Sequence, residues 1–107
     1  MMTPETTIEH AKKHTKEWFV YLMRCNDTSL YCGVTTDIKR REQEHNHGPK
    51  GAKYTRVRRP VTLVYLQSAV NRSEACQLEA KIKKLSKRNK EVLVAQHQAL
   101  LKQEGLL

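Results

Sequence analysis

Long apolar runs are missing from this chain. No window approaches the ~18 apolar residues that a membrane-spanning helix needs. The polar N-terminus also lacks the hydrophobic stretch of a secretion signal. The expectation is a soluble, cytoplasmic protein with no membrane partner. Aromatic residues are scarce, with one Trp, one Phe and four Tyr among 107 residues. With 38% hydrophobic residues, the core has to be small and the stability marginal. C-x-x-C pairs are absent as well. The three cysteines, Cys25, Cys32 and Cys76, are odd in number and widely spaced, which argues against a structural zinc site. They read as free thiols in a reducing compartment, with Cys32 and Cys76 in apolar patterns where cysteine acts as a small hydrophobe. No repeat, low-complexity stretch or linker divides the chain, and its length suits one domain.

Negative charge is the other shortage. Twenty Lys and Arg face eleven Asp and Glu, a net charge of +9. Such a surplus favours nucleic acid, or less often an anionic membrane surface, through counterion release and steering. A merely soluble basic protein is the plain alternative.

Residues 1–16 are polar and read as a flexible N-terminal arm. His10 and His14 within it are spaced i, i+4, but without a third ligand nearby they read as solvated surface. A folded domain is expected over residues 17–103. Trp18 to Cys25 is rich in β-formers and ends at the turn-forming run Asn26-Asp27-Thr28-Ser29; Leu30 to Thr35 then resumes a strand, giving a hairpin. Asp37 can cap a helix from Ile38 to Asn46. Gly48-Pro49-Lys50-Gly51 ends it and opens a basic loop to Pro60. Val61 to Gln67 is a third strand. Asn71, with Glu74 three residues on, opens a helix whose stripe is Ala75, Leu78, Ile82 and Leu85. Ser86 caps a last helix, with Val92, Leu93, Ala95, Ala99 and Leu100 on its buried side. The order β-β-α-β-α-α predicts an α+β domain: a small three-stranded antiparallel sheet flanked by helices.

Two places break the expected patterns. If Ile38 faces the sheet, the same side of its helix carries Arg41, Glu42 and His45 where a core stripe would hold Leu or Val. Those side chains either reach round to water or line a cleft. In the next long helix, Glu79 falls roughly 80° from the centre of the apolar stripe, at the edge of the buried face. It can pair with Lys83 at i+4, or serve as a hard oxygen ligand for Mg²⁺. Phe19, Tyr21 and Met23 share one face of the first strand; Tyr31 and Gly33 share one face of the second. Strand tyrosines commonly pack in a core with the hydroxyl at the rim. A glycine inside a strand marks close approach by another group.

Val20-Tyr21-Leu22, Tyr31-Cys32-Gly33, Arg41, His45 and Glu79, in that order, resemble the GIY-YIG nuclease domain. The likeness is strongest to the small stand-alone bacterial members and runs from Glu17 to Val94. Supporting stretches are Thr35 to Arg41, Gly51 to Arg56 and Lys81 to Ser86. The resemblance implies hydrolysis of phosphodiester bonds in DNA with one divalent metal, Mg²⁺ or Mn²⁺, and no small-molecule cofactor. By position, Tyr31 would act on the attacking water as general base, or position it. Arg41 would hold the scissile phosphate, Glu79 would anchor the metal, Tyr21 would complete the hydrogen-bonded cluster, and His45 would assist the tyrosine. Lys39 and Arg40, then Lys50, Lys53, Arg56, Arg58 and Arg59 of the basic loop, would contact the nucleic-acid backbone. Tyr54 would touch the substrate or support the site.

A free phenol, with a pKa of ~10, is a poor base at neutral pH and would need an adjacent cation or proton acceptor. Two positions depart from the family pattern: Val34 stands where several members carry lysine, and Glu91 where many carry asparagine. With no room for an added DNA-binding domain, the expected cutting is structure-selective or weakly selective. The rival reading is a nucleic-acid-binding module with this fold and little or no turnover.

Overall fold

The computed structural model describes residues 17–105; the expected N-terminal arm, with His10 and His14, lies outside the described residues. Strands β1 (Trp18–Arg24) and β2 (Leu30–Thr35) form the expected hairpin, and β3 (Thr62–Ala69) pairs antiparallel along the other edge of β1. The sheet order is therefore β2-β1-β3. The helices are α1 (Ile38–His47), α2 (Lys53–Arg56), α3 (Arg72–Lys83) and α4 (Lys87–Gln103). The single turn α2 was not expected: it lies inside the stretch that reads as a basic loop, and no side chain caps it. The three longer helices begin as their cap residues dictate. Asp37, Asn71 and Ser86 each accept a backbone N–H three residues on, from Arg40, Glu74 and Asn89, at 2.8–3.1 Å. The Glu74 carboxylate reaches back to the Val70 N–H at 3.3 Å, one residue beyond the cap itself.

Helices cover both faces of the sheet, giving two small cores. On one face, Val20, Leu22, Cys32 and Ala69 pack with Ala75 and Ile82 of α3 and Val94 of α4. On the other, Tyr21, Met23, Cys25 and Val61 pack with Ile38 of α1, Tyr31, Leu63 and Leu66. The register slips between Leu22, opposite Tyr65, and Met23, opposite Leu63, leaving Val64 as an extra residue. This bulge resets the alternation of β3. Val64 and Tyr65 both serve the α3–α4 face, while Leu63 and Leu66 serve the other.

Two sequence expectations are corrected. The inner side of α4 is Val94 with half-buried Leu93, His97 and Leu101, whereas Val92, Ala95, Ala99 and Leu100 are exposed. The hydrophobic residues of α4 are spread round the helix, so composition did not identify the inner stripe. Position does: residues 94, 97 and 101 recur at helical spacing. Cys76 is exposed rather than packed, being one position round from Ala75, although all three thiols are free as expected. The start of α4 is tied to the end of β1 by Arg24, which donates to both oxygens of Glu91 at 2.5 and 2.7 Å.

Gly33 stands directly opposite Tyr21 in the hairpin. A β-carbon added there would come within 2.6 Å of Tyr21 Cζ and closer still to the hydroxyl. The Tyr21 ring therefore lies flat across the space where another residue would carry its side chain. Gly33→Ala is expected to push the ring aside and destabilise the domain by about 1–3 kcal/mol, as overpacked cores do. Urea denaturation of the two proteins measures this, and an unchanged midpoint would mean that the ring crosses elsewhere.

Candidate active site

Four of the expected catalytic residues gather on the face covered by α1 and α2. β1 and β2 are adjacent and alternate, so Tyr21 and Tyr31 project to the same side, with ring centroids 6.4 Å apart. α1 contributes His45 two turns after Ile38. The expected polar side of α1 does face inward: His45 is fully buried, and Arg41 and Glu42 are half-buried. Tyr21 Oη and His45 Nε2 are hydrogen-bonded at 2.7 Å. The Tyr31 ring meets His45 edge-on at 5.3 Å and lies against the Tyr54 ring at 6.0 Å, nearly parallel.

The other side of His45 was not foreseen. Its Nδ1 is 2.9 Å from the hydroxyl of Thr55, itself fully buried on α2, and the Ala52 N–H donates to the same nitrogen at 3.3 Å. Thr55 Oγ1 in turn donates to the Ala52 carbonyl at 2.9 Å, so Tyr21, His45 and Thr55 form one continuous chain of hydrogen bonds. In sequence Thr55 is one polar residue of a basic loop; the only hint of its role is that it sits within Gly51-Ala52-Lys53-Tyr54-Thr55-Arg56, a stretch that supports the family likeness.

Burial governs the protons of this cluster. Desolvation pushes the Tyr21 hydroxyl up to about 12, against the pull of the neighbouring Arg41 guanidinium. Desolvation, reinforced by the Arg41 charge, pushes the His45 imidazole down to about 4. At neutral pH the pair is thus an uncharged phenol and an uncharged imidazole. Arg41 stands beside the Tyr21 hydroxyl with its own geometry fixed: Nη1 donates to Glu44 Oε1 at 3.0 Å and to the Lys50 carbonyl at 2.9 Å.

The remaining expected residues divide into two groups. Lys39, Arg40, Lys50, Lys53 and Arg56 are exposed at the surface around α1 and α2, Arg40 with Glu44 at 3.8 Å. Arg58 and Arg59 are half-buried and bonded internally. Arg59 donates to the carbonyls of Glu44, His45 and Gly48, closing the C-terminal end of α1. Arg58 donates to Asp27 and to the Tyr54 carbonyl, and its guanidinium covers the Tyr54 ring.

Glu79 is not in the tyrosine–histidine cluster. It belongs to α3, which covers the opposite face, and its charge acts on Cys32 of the edge strand β2. Its carboxylate is 22% exposed and pairs with Lys83 at 3.3 Å. No group of three His, Cys, Asp or Glu side chains gathers among the described residues, which does not fit an ion caged by protein alone. A hard divalent ion held by one carboxylate, waters and a substrate phosphate asks only for a half-buried oxygen donor that water can reach, and Glu79 fits that in kind.

The neutral His45 has a consequence for stability. Its folded pKa lies below the ordinary value near 6.5, so between about pH 6.5 and pH 4 the unfolded chain binds a proton that the folded one does not. Stability is expected to fall as pH drops through this window, by up to about 3 kcal/mol. Urea denaturation across the window tests it, and His45→Gln, which cannot titrate, is expected to flatten the slope.

The GIY-YIG catalytic domain family matches residues 17–92. The UPF0213 protein DP2720 of Desulfotalea psychrophila is 49% identical over 87 residues, covering 81% of this chain and 79% of that protein. A UPF0213 protein of Cronobacter sakazakii is 52% identical over 80 residues, covering 75% of this chain and 83% of its own length. Among solved structures, the solution NMR structure of the protein EF2693 from E. faecalis superposes with a TM-score of 0.56 at 40% identity, covering 78% of this chain and 88% of that one. With a domain match over residues 17–92 and relatives at about half identity, the chain belongs to the GIY-YIG family of nuclease domains.

Proposed function

We propose that this protein is a metal-dependent endonuclease that hydrolyses phosphodiester bonds in DNA with structure-selective or weak selectivity. The observation that carries the reading is the convergence of Tyr21, Tyr31, His45 and Arg41 on one face of the sheet.

The roles divide by burial. Tyr21, sealed in the core and pushed up to about 12, keeps its proton and acts as a hydrogen-bond donor. His45, uncharged, holds the Tyr21 oxygen in place from behind. Tyr31 is half-exposed, so its hydroxyl is the one that reaches an attacking water. Arg41, permanently charged and braced by Glu44 and the Lys50 carbonyl, binds the phosphate and offsets the charge that grows as the water adds. Glu79 would hold the divalent ion, Mg²⁺ or Mn²⁺, which when bound supplies a Lewis acid for the phosphate. Exposed Lys39, Arg40, Lys50, Lys53 and Arg56 supply sequence-independent backbone contacts. A double-strand cut from one such centre requires a second subunit or two successive nicks.

The rival, binding without turnover, draws on Glu91. The family's usual asparagine is absent, and the carboxylate in its place is engaged by Arg24. The purified protein is expected to nick labelled DNA in Mg²⁺ or Mn²⁺, with Glu79→Ala and Arg41→Ala each abolishing the cut; loss of one transition-state donor typically costs about 10²–10³-fold. Cleavage persisting in both variants would mark a contaminant. Tight, salt-sensitive binding with no cleavage of duplex, single-stranded, flapped or branched DNA in either metal would establish the rival instead.

A further inference from the structure

The geometry points to Arg58 and Tyr54 as a clamp that positions Tyr31, rather than as contacts to the nucleic acid. This inference rests on the hydrolytic reading above and assigns Arg58 a role that its charge alone does not suggest.

Four side chains are layered. Asp27, in the turn joining β1 and β2, accepts from Arg58 Nε at 2.9 Å. Arg58 Nη1 donates to the Tyr54 carbonyl at 2.9 Å, and its guanidinium carbon sits 3.8 Å from the centre of the Tyr54 ring. Tyr54 lies on Tyr31 with centroids 6.0 Å apart and planes 25° apart. The backbone reinforces the contact, since Asn26 N–H donates to the Arg58 carbonyl at 2.8 Å. The planar fork of Arg58 thus joins the hairpin turn to α2 while its face supports an aromatic ring, a combination that a lysine ammonium cannot reproduce.

The consequence falls on Tyr31. On its strand it is held by packing, with the edge of His45 on one side and the face of Tyr54 on the other. His45 is fixed by Tyr21 and Thr55. Tyr54 is 39% exposed and owes its position to Arg58. Without that cover the Tyr31 ring keeps its strand but loses one wall, and its hydroxyl can drift from the attacking water. A displacement of about 1 Å in a reacting group can cost on the order of 10²-fold in rate. Asp27 works through Arg58 in the same way, although it lies on a turn and has no charge suited to DNA.

Two substitutions separate a clamp from a phosphate contact, Arg58→Lys and Asp27→Asn, each made in the full chain and checked for an unchanged thermal transition. A phosphate contact tolerates lysine, and it is left intact or strengthened when Asp27 loses its charge. A clamp is damaged by both. The expected result is DNA binding within about twofold of the starting protein and an unchanged salt slope, with single-turnover cleavage down about 10- to 100-fold in both variants. NMR is expected to show the Tyr31 ring resonances shifted and the Tyr31–Tyr54 ring contact weakened. Full cleavage in Arg58→Lys, or a salt slope shallower by about one in Arg58→Gln, assigns Arg58 to the phosphate backbone and overturns the clamp. If the starting protein cuts no DNA, the hydrolytic reading fails by itself. The ring spectra then decide the clamp: unshifted Tyr31 resonances in the Arg58 and Asp27 variants overturn it.

Discussion

The hydrogen bond between Tyr21 and His45, 2.7 Å long and closed to water, is the interaction on which one whole side of this domain depends. It joins the central strand to α1, and through Thr55 it reaches α2. Both polar groups have left solvent, so breaking the bond would strand a buried donor or acceptor at a cost of about 1–3 kcal/mol. Two features of the chain make it possible. Gly33 leaves the space that the Tyr21 ring crosses, and buried Gly51 lets the loop close against the backbone of Glu44 and His45. Every buried side-chain polar atom among the described residues has a partner, so this polar core is completely satisfied. The geometry of the candidate site and the local stability are here the same set of contacts.

The sheet separates two kinds of core. The α3–α4 side is closed by aliphatic side chains and Cys32, and it has no buried charge to manage. The α1–α2 side is smaller and holds tyrosine, histidine and threonine around a few hydrophobic residues. Aliphatic packing is thus concentrated on the α3–α4 face, while the α1–α2 face holds the polar tyrosine–histidine cluster. Glu91 illustrates the same division. Its carboxylate is held by Arg24 and Lys87, and that pairing lowers it to about 2. In this chain the position fastens α4 to the hairpin.

The three strands, the three longer helices and their caps were legible because each has a local cause: alternation, turn residues, a capping side chain. The inward face of α1 was legible for the opposite reason, since Arg41 and His45 stood where aliphatic residues belonged. What escaped has a non-local cause. α2 is a single turn with no cap, stabilised by Thr55 reaching a histidine ten residues earlier in the chain. The inner stripe of α4 is set by which side meets β3, where Tyr65 approaches His97 at 5.2 Å; spacing recovers it only once that contact is known. The placement of Glu79 on a helix of the other face depends on strand order and on which face each helix covers, and neither appears in the motif that unites it with the tyrosines.

The proton inventory narrows the chemistry further. A phenol pushed up to about 12 and an imidazole pushed down to about 4 leave an uncharged pair over a wide span of pH, with the charges of Arg41, Glu44 and Arg59 around it. The imidazole resists protonation because both burial and the guanidinium disfavour a second positive charge beside Arg41. It is therefore uncharged at neutral pH, and under the proposed reading it would orient the Tyr21 oxygen. Tyr21 in turn resists losing its own proton. Under the hydrolytic reading proposed above, Tyr31, half-buried between the rings of His45 and Tyr54, is the tyrosine left to act on the water as base or to position it, and the neighbours that fix its ring would then matter as much as its hydroxyl.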